Sequence, residues 1–318
     1  MEMVTPDFAS LHPGYGRRLP MPDTKKLTLH TMMGNYPITK VLKTGAIRSD
    51  LVDFDFVDVK VANNFFKQVV REAKFDVAEL AIATYLQAKA YGKPYVLLPA
   101  VLVSRGQHHT IAYNAERGAL RPGDLNGRRV GMRAYTVTTA TWVRGILASD
   151  YGVDLDKVEW ITFEDPHVAE YRDPPTVKRA PAGKELVQML LDGEVDAAVV
   201  GDKLPDPRLK HLVPDAEAAA HAWAQRHGGV PINHMVVVRE ELSRSRPDAV
   251  QEVFRQLHRS KQGAGLPDAG ALDPYRFGVE ACRPVLEVII DYCWRQHLLP
   301  QRLSVDELFD DTTRVLAA

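Results

Sequence analysis

A chain of 318 residues, 45% hydrophobic and 25% charged, has ordinary globular composition and is long enough for two domains or one large α/β unit. Its 40 Lys and Arg balance 41 Asp and Glu, so no global field recruits nucleic acid or an anionic membrane, and any basic site must be local. The two cysteines, Cys282 and Cys293, show no CxxC spacing and read as buried thiols on one helical face near Leu286 and Ile289, which fits a reducing compartment.

Residues 1–24 carry Pro6, Pro13, Pro20 and Pro22 without periodicity and read as an extended arm that could wrap a neighbouring subunit, leaving a homo-oligomer open. The N-terminus lacks an apolar signal core, and no run of about 18 apolar residues occurs, so a cytoplasmic protein without a membrane partner is expected. Leu27–Met32 then reads as a strand, Pro37 opens a helix, and Val52–Val59 alternates as a second strand. Asn63–Lys74 sets Phe65, Phe66, Val69, Val70 and Ala73 on one helical stripe. Asp76–Leu80 is strand-like, and the following ATYLQAKAYG is helical with Gly92 as its stop. Tyr95–Val103 is a buried strand, and His109–Tyr113 is expected to carry the chain out of the first lobe.

The stretch Gly127–Val153 is the centre of the chain. Arg129–Met132 reads as a strand, Arg133–Thr139 as a polar turn, and Trp142, Val143, Ile146 and Leu147 recur with helical period. Thr136, Thr138 and Thr139 are candidate caps, so first-turn amides, the partial positive charge of the helix start and Arg133 would seat a carboxylate or phosphate. Val158–Phe163 is another strand, 164–183 a proline-rich connection, Leu186–Leu191 a helix ending near Gly193, and VDAAVVGD a buried strand. Ala216–Arg226 is helical. Ile232–Val238 is read as the strand that returns to the first lobe, and the remainder is helical, with a short last helix near Ser304–Phe309. The expected division is 1–24 arm, 25–111 first lobe, 112–231 second lobe and 232–318 first lobe again. Such βα alternation argues for α/β architecture with sheets covered by helices.

The segments FDVAELAIATYL, GKPYVLLPAVLVSR, DLNGRRVGMRAYTVTTATWVRGILASDYGV, DGEVDAAV and PINHMVVVREEL together resemble the 4,5-dihydroxyphthalate decarboxylase family, from roughly Lys26 to Lys261. The resemblance implies a two-lobed fold like that of type 2 periplasmic binding proteins: two mixed sheets flanked by helices and joined by two crossing strands, closing on a ligand by hinge motion. It also implies a carboxy-lyase of aromatic (phthalate) catabolism, converting 4,5-dihydroxyphthalate or a close analogue to protocatechuate and CO₂. One segment departs from the family pattern: it reads GQHHTI, where the family has an Arg directly before the His, so one bidentate carboxylate contact is lost.

Decarboxylation of an electron-rich aromatic acid needs an acid, a base and anion holders, but no electron-sink cofactor. His234, where the chain recrosses the cleft, is the leading acid/base candidate. His109 is the second, by its position against the family His, with the adjacent His108 facing the other way if both lie on a strand. Glu79, at a strand end, could orient a His or take the phenol proton. Arg105 follows a buried apolar run, where a lone charge is costly, and is expected to meet a carboxylate of protein or substrate. Arg133, Thr138, Thr139 and Tyr135 surround the expected anion seat; Arg144, beside the apolar stripe of its helix, is expected to form an ion pair with an acidic neighbour, while its match to the family gives it a supporting place behind the seat. No HxH, HExxH or HxxxH spacing occurs among the eleven histidines, so no metal is expected; without GxxxxGK[ST] or a strand-linked GxGxxG, no nucleotide cofactor is expected either. The competing reading is a transporter-type solute-binding protein for a small carboxylate, since fold does not choose between binding and turnover. Thiamine-pyrimidine synthesis would require a cysteine-rich motif, and a transcription regulator an N-terminal helix-turn-helix.

Overall fold

The computed structural model describes residues 26–266 and 272–317; the arm expected over 1–24 lies outside the described residues. In chain order the elements are β1 (Leu27–Met32), α1 (Pro37–Lys43), β2 (Val52–Phe56), α2 (Phe66–Glu72), β3 (Val77–Ala81), α3 (Ile82–Ala90) and β4 (Tyr95–Ser104). The chain continues through β5 (Ile111–Asn114), β6 (Arg129–Met132), α4 (Thr138–Tyr151), β7 (Glu159–Thr162), β8 (Val177–Arg179), α5 (Leu186–Asp192), β9 (Ala197–Val199), β10 (Leu209–His211) and α6 (Ala216–Arg226). It closes with β11 (Ile232–Arg239), α7 (Glu240–Ser245), α8 (Pro247–Gly263) and α9 (Val279–Arg295).

Two mixed sheets result, ordered β2-β1-β3-β11-β4 and β10-β5-β9-β6-β7-β8. In the first, β1 runs parallel to β2 and β3, while β11 is antiparallel to both β3 and β4. In the second, β6 runs parallel to β7 and β9, and β5 is antiparallel to β9 and β10. The chain therefore leaves the first sheet after β4 and re-enters it as β11. Between the sheets, α9 packs against both α3 and α4 and buries Cys282, Leu286, Ile289 and Cys293. Trp142 of α4 stands edge-on to Trp223 of α6 and to Tyr292 of α9. Gly145 is what lets α9 approach α4 so closely, because a Cβ there would overlap the Tyr292 ring.

The differences from expectation have local causes. His109–Tyr113 is not one strand: residues 108–110 form a 3₁₀ turn, because the Thr110 amide and hydroxyl both bond back to the Gln107 carbonyl, and β5 starts at Ile111. The proline-rich connection contains β8, a three-residue edge strand carried by pairing with β7 rather than by any pattern of its own. β10 was hidden for the same reason. No threonine caps α4. Val137 occupies that position, and the Thr138 hydroxyl instead accepts from the Ala83 amide at the start of α3. The helix expected over Asn63–Lys74 starts as a 3₁₀ turn and stops at Ala73, which takes a left-handed conformation with φ 48°.

Candidate active site

The site begins at the pairing of β3 with β11. Ala81 lies opposite His234 and Glu79 opposite Val236, so Glu79 and His234 are diagonal cross-strand neighbours on one face. The register of β11 against β4 slips between Ile232 and Val236, the sort of local irregularity that re-aims a side chain. His234 Nδ1 stands 2.5 Å from Glu79 Oε1. Glu79 is fully buried and accepts two further bonds, from the Tyr36 hydroxyl at 2.6 Å and the Gly34 amide at 2.7 Å. Burial alone would push this carboxyl up, but the hydrogen bond and charge of His234, with Tyr36 and Gly34, outweigh it and hold Glu79 below the usual carboxylate range. Burial, then the charge and hydrogen bond of Glu79, pushes the Tyr36 phenol up, so Tyr36 stays a donor. The tyrosine ring lies directly over Gly34, where a Cβ would stand 2.6 Å from its hydroxyl. Lys43 pins the same loop through the Met33 carbonyl and Asn35.

With Nδ1 held by a carboxylate, Nε2 is the nitrogen left for chemistry. His234 lines a cavity of about 150 Å³ together with Asn63, Phe66, Arg105, Arg133, Thr138, Thr139, His167 and Asn233. That is the scale of a cavity that takes one benzene ring, ~150 Å³. A second compartment of about 350 Å³, lined by Gly34, Asn35, Tyr36, Asp58 and Lys60, adjoins it at Asn63 and His234. The cavity sits at the carboxyl ends of the parallel strands β3 and β6 and at the start of α4, whose first-turn amides have no intrahelical acceptor. The Phe66 ring makes T-shaped contacts with both His234 and His167, with ring centroids at 5.4 and 5.6 Å.

Two guanidinium groups supply the positive charge. Arg105 Nη1 pairs with Asp202 at 2.5 Å and Nη2 reaches the Thr139 hydroxyl at 3.4 Å, while its buried Nε has no partner among the described residues. Arg133 stands 3.8 Å from Glu164, a loose pair that leaves most of its donors uncommitted. The cavity thus joins a carboxylate-held imidazole to cationic and helix-start anion holders around a space of aromatic-ring size.

Of the residues singled out from sequence, His234, Glu79, Arg105, Arg133, Thr138 and Thr139 come together here. The other four do not. His109 bonds to the far oxygen of Asp202 at 3.2 Å and faces a separate open groove with His211 and His221. His108 is buried with neither ring nitrogen bonded among the described residues, and burial pushes it down to about 4. Tyr135 and Arg144 lie in the core behind α4. Arg144 stacks 3.7 Å over the Tyr135 ring and donates to the Tyr135 carbonyl, Gln296 and the Met132 sulfur, so its guanidinium is fully spent on packing. The ion pair expected of Arg144 is replaced by neutral acceptors. Sequence reading passed over Tyr36, Asn63, Phe66, His167, Asp202 and Asn233. Most sit in loops or short turns, where periodicity carries no signal, although Asn233 next to His234 on the return strand could have been found.

No family model matches the chain. It is 33% identical over 251 residues to a 4,5-dihydroxyphthalate decarboxylase of Comamonas testosteroni, covering 74% of this chain and 75% of that protein. The chain belongs to the 4,5-dihydroxyphthalate decarboxylase family. A second member, from Pseudomonas putida, is 32% identical over 213 residues, 62% of this chain and 81% of its own length. The family is one of carboxy-lyases, and this chain is an enzyme of that class. Among solved structures, the sulfonate-binding protein SsuA of Escherichia coli aligns with a TM-score of 0.55 at 12% identity, over 91% of this chain and 99% of its own. SsuA of Xanthomonas axonopodis pv. citri, bound to MOPS, aligns at 0.53 and 14%, over 90% and 98%. The desulfurization enzyme DSZB aligns at 0.50 and 16%, over 90% and 97%. These likenesses establish the type 2 periplasmic-binding-protein fold. Among the described residues no group of three or more His, Cys, Asp or Glu side chains is placed to hold a metal, and no helix is long and apolar enough to cross a membrane.

Proposed function

We propose that this member of the family removes one carboxylate, as CO₂, from a dihydroxylated aromatic dicarboxylate, with 4,5-dihydroxyphthalate as the substrate and protocatechuate as the product. The observation that carries the reading is the buried Glu79 behind His234, at the wall of a ring-sized cavity that also holds Arg105, Arg133 and the start of α4. The ring stacks in the cavity with its two carboxylates on the guanidiniums and first-turn amides. The hydroxyl para to the leaving carboxylate enters as phenolate, its proton given up to solvent before the lobes close. Protonated His234 then delivers a proton from Nε2 to the ring carbon bearing that carboxylate, and the phenolate supplies the electron pair and becomes a dienone carbonyl. The bond to the carboxylate then breaks, CO₂ leaves, its electrons return to the ring, and the phenolate reforms. Glu79, with both oxygens engaged, orients the imidazole and balances its charge. Exclusion of water by closure of the two lobes strengthens each of these interactions.

The test is to incubate the purified protein with 4,5-dihydroxyphthalate and follow CO₂ release and ring absorbance. Turnover is expected, and His234→Ala should abolish it while keeping the circular dichroism spectrum of the folded protein, at a lower melting temperature because the buried Glu79 loses its partner. Tight binding without turnover would favour the solute-binding reading, and a fully active His234→Ala would remove His234 from the chemistry.

A further inference from the structure

The segment between β7 and β8 crosses from the second sheet to the elements of the first and carries His167 into the cavity. Three contacts fasten it there. Arg71 of α2 donates from Nε to the His167 carbonyl at 2.7 Å and from Nη2 to the Pro166 carbonyl at 2.8 Å. Lys93 pairs with Glu170 at 2.6 Å. Thr84 Oγ1 of α3 stands 2.8 Å from His167 Nδ1. The side chain is thereby fixed at one end, with the Phe66 ring in T-shaped contact with it. His167 is 6% exposed and lines the cavity, yet its Nε2 has no hydrogen-bond partner among the described residues. An unpaired polar atom on a buried side chain that lines a cavity is a place where a ligand atom belongs.

Burial and the positive charges of Arg133, Lys67 and Arg71 push this imidazole down to about 3, so it is neutral at working pH. A neutral imidazole here is poorly matched to hold a carboxylate, a task for which the two arginines are available. It suits a hydroxyl. The Thr84 hydroxyl can donate to Nδ1 or accept from it, and Nε2 takes the complementary role: a lone pair toward a phenol O–H, or an N–H toward a phenolate oxygen.

Resting on the decarboxylase reading, we infer that His167 is the residue that reads the ring hydroxyl, selecting hydroxylated aromatic acids over their unhydroxylated analogues. His167 touches the substrate oxygen and does not deliver the proton to carbon.

The experiment compares 4,5-dihydroxyphthalate with phthalate in the intact protein and in His167→Phe, His167→Gln and Thr84→Val. KM and kcat are measured for the first compound and the competitive inhibition constant for the second. His167→Phe should raise KM for the hydroxylated acid about 10- to 100-fold and leave phthalate binding within about threefold, whereas His167→Gln, which places a polar atom near Nε2, should regain part of the discrimination. Thr84→Val should fall between them. An equal loss for both ligands would make His167 a merely structural plug, and no loss for either would remove it from recognition; each overturns the inference. If the wild-type protein releases no CO₂, the decarboxylase reading fails, but calorimetric dissociation constants for the two acids still decide whether His167 discriminates.

Discussion

Replacing Glu79 by Gln probes the centre of the site at nearly constant volume. In the native protein the carboxylate accepts from His234 Nδ1 at 2.5 Å, Tyr36 at 2.6 Å and the Gly34 amide at 2.7 Å, three donors on two oxygens. A glutamine has one oxygen. If that oxygen stays on Tyr36 and His234, the new NH₂ faces the Gly34 N–H, and a buried donor conflict costs about 1–3 kcal/mol. If it turns to Gly34 instead, the NH₂ donates to His234 Nδ1, forces the proton onto Nε2 of a neutral ring and removes the anion behind it. Either way the imidazolium loses its counter-charge in a site walled off from water. A wrong tautomer of this kind lowers kcat by about 10²- to 10⁴-fold, while KM, set by Arg105, Arg133 and the start of α4, moves by less than about threefold. Steady-state CO₂ release at pH 7 measures the first effect, and chemical denaturation the second. The reasoning is refuted if Glu79→Gln retains more than about a third of native kcat while losing the expected stability, because Glu79 would then hold the fold and not the chemistry.

Two further outcomes follow from other buried groups. Arg144→Lys keeps a charge but cannot stack on Tyr135 while reaching both Gln296 and the Tyr135 carbonyl, so it should lose about 2–3 kcal/mol of stability with KM within twofold; a tenfold KM increase without lost stability would return Arg144 to the binding site. Acid should destabilise the protein through its buried histidines. Burial lowers the folded-state values of His167 and His108 to about 3 and about 4, aided at His167 by nearby positive charge, so from about pH 6.5 downward the unfolded chain takes up protons that the native state refuses. Stability therefore falls with pH across that window, by up to about 1.4 kcal/mol per pH unit for His167. The Glu79 contribution, present above the ordinary carboxylate range, is lost only as pH drops further through its depressed native value. Guanidinium titrations between pH 7 and 4.5 measure the slope, and His108→Phe should make it shallower; an unchanged slope would mean that His108 does not stay neutral in the native state.

Much of the architecture was legible because buried strands and amphipathic helices write their period into the chain: β1, β3, β4, β6 and β11 coincide with apolar runs, and α4, α8 and α9 with helical stripes. Strands β8 and β10, of three residues each, carry no such period, since they exist by pairing with a neighbour. The 3₁₀ turn at 108–110 was likewise invisible, because a hydroxyl bonded back to the Gln107 carbonyl leaves no trace in spacing. That turn is why two adjacent histidines part, one into the core and one onto Asp202, and neither into the cavity.

Residue chemistry by itself raised the expectation of a small-anion seat: the charges balance overall, arginines stand next to apolar runs, and a strand, turn and helix start offer unpaired amides. Which arginine lines the cavity and which sits in the core was decided by tertiary packing. Arg105 and Arg144 each adjoin an apolar run, and only the placement of Asp202 and Thr139 around one, and of Tyr135 and Gln296 around the other, separates them. The partnership of Glu79 with His234, 155 positions apart, belongs to the pairing register of β3 and β11. Sequence spacing records periods of 2 and 3.6 within an element, whereas a site assembled from several elements is set by long-range pairing and burial, which no local period encodes.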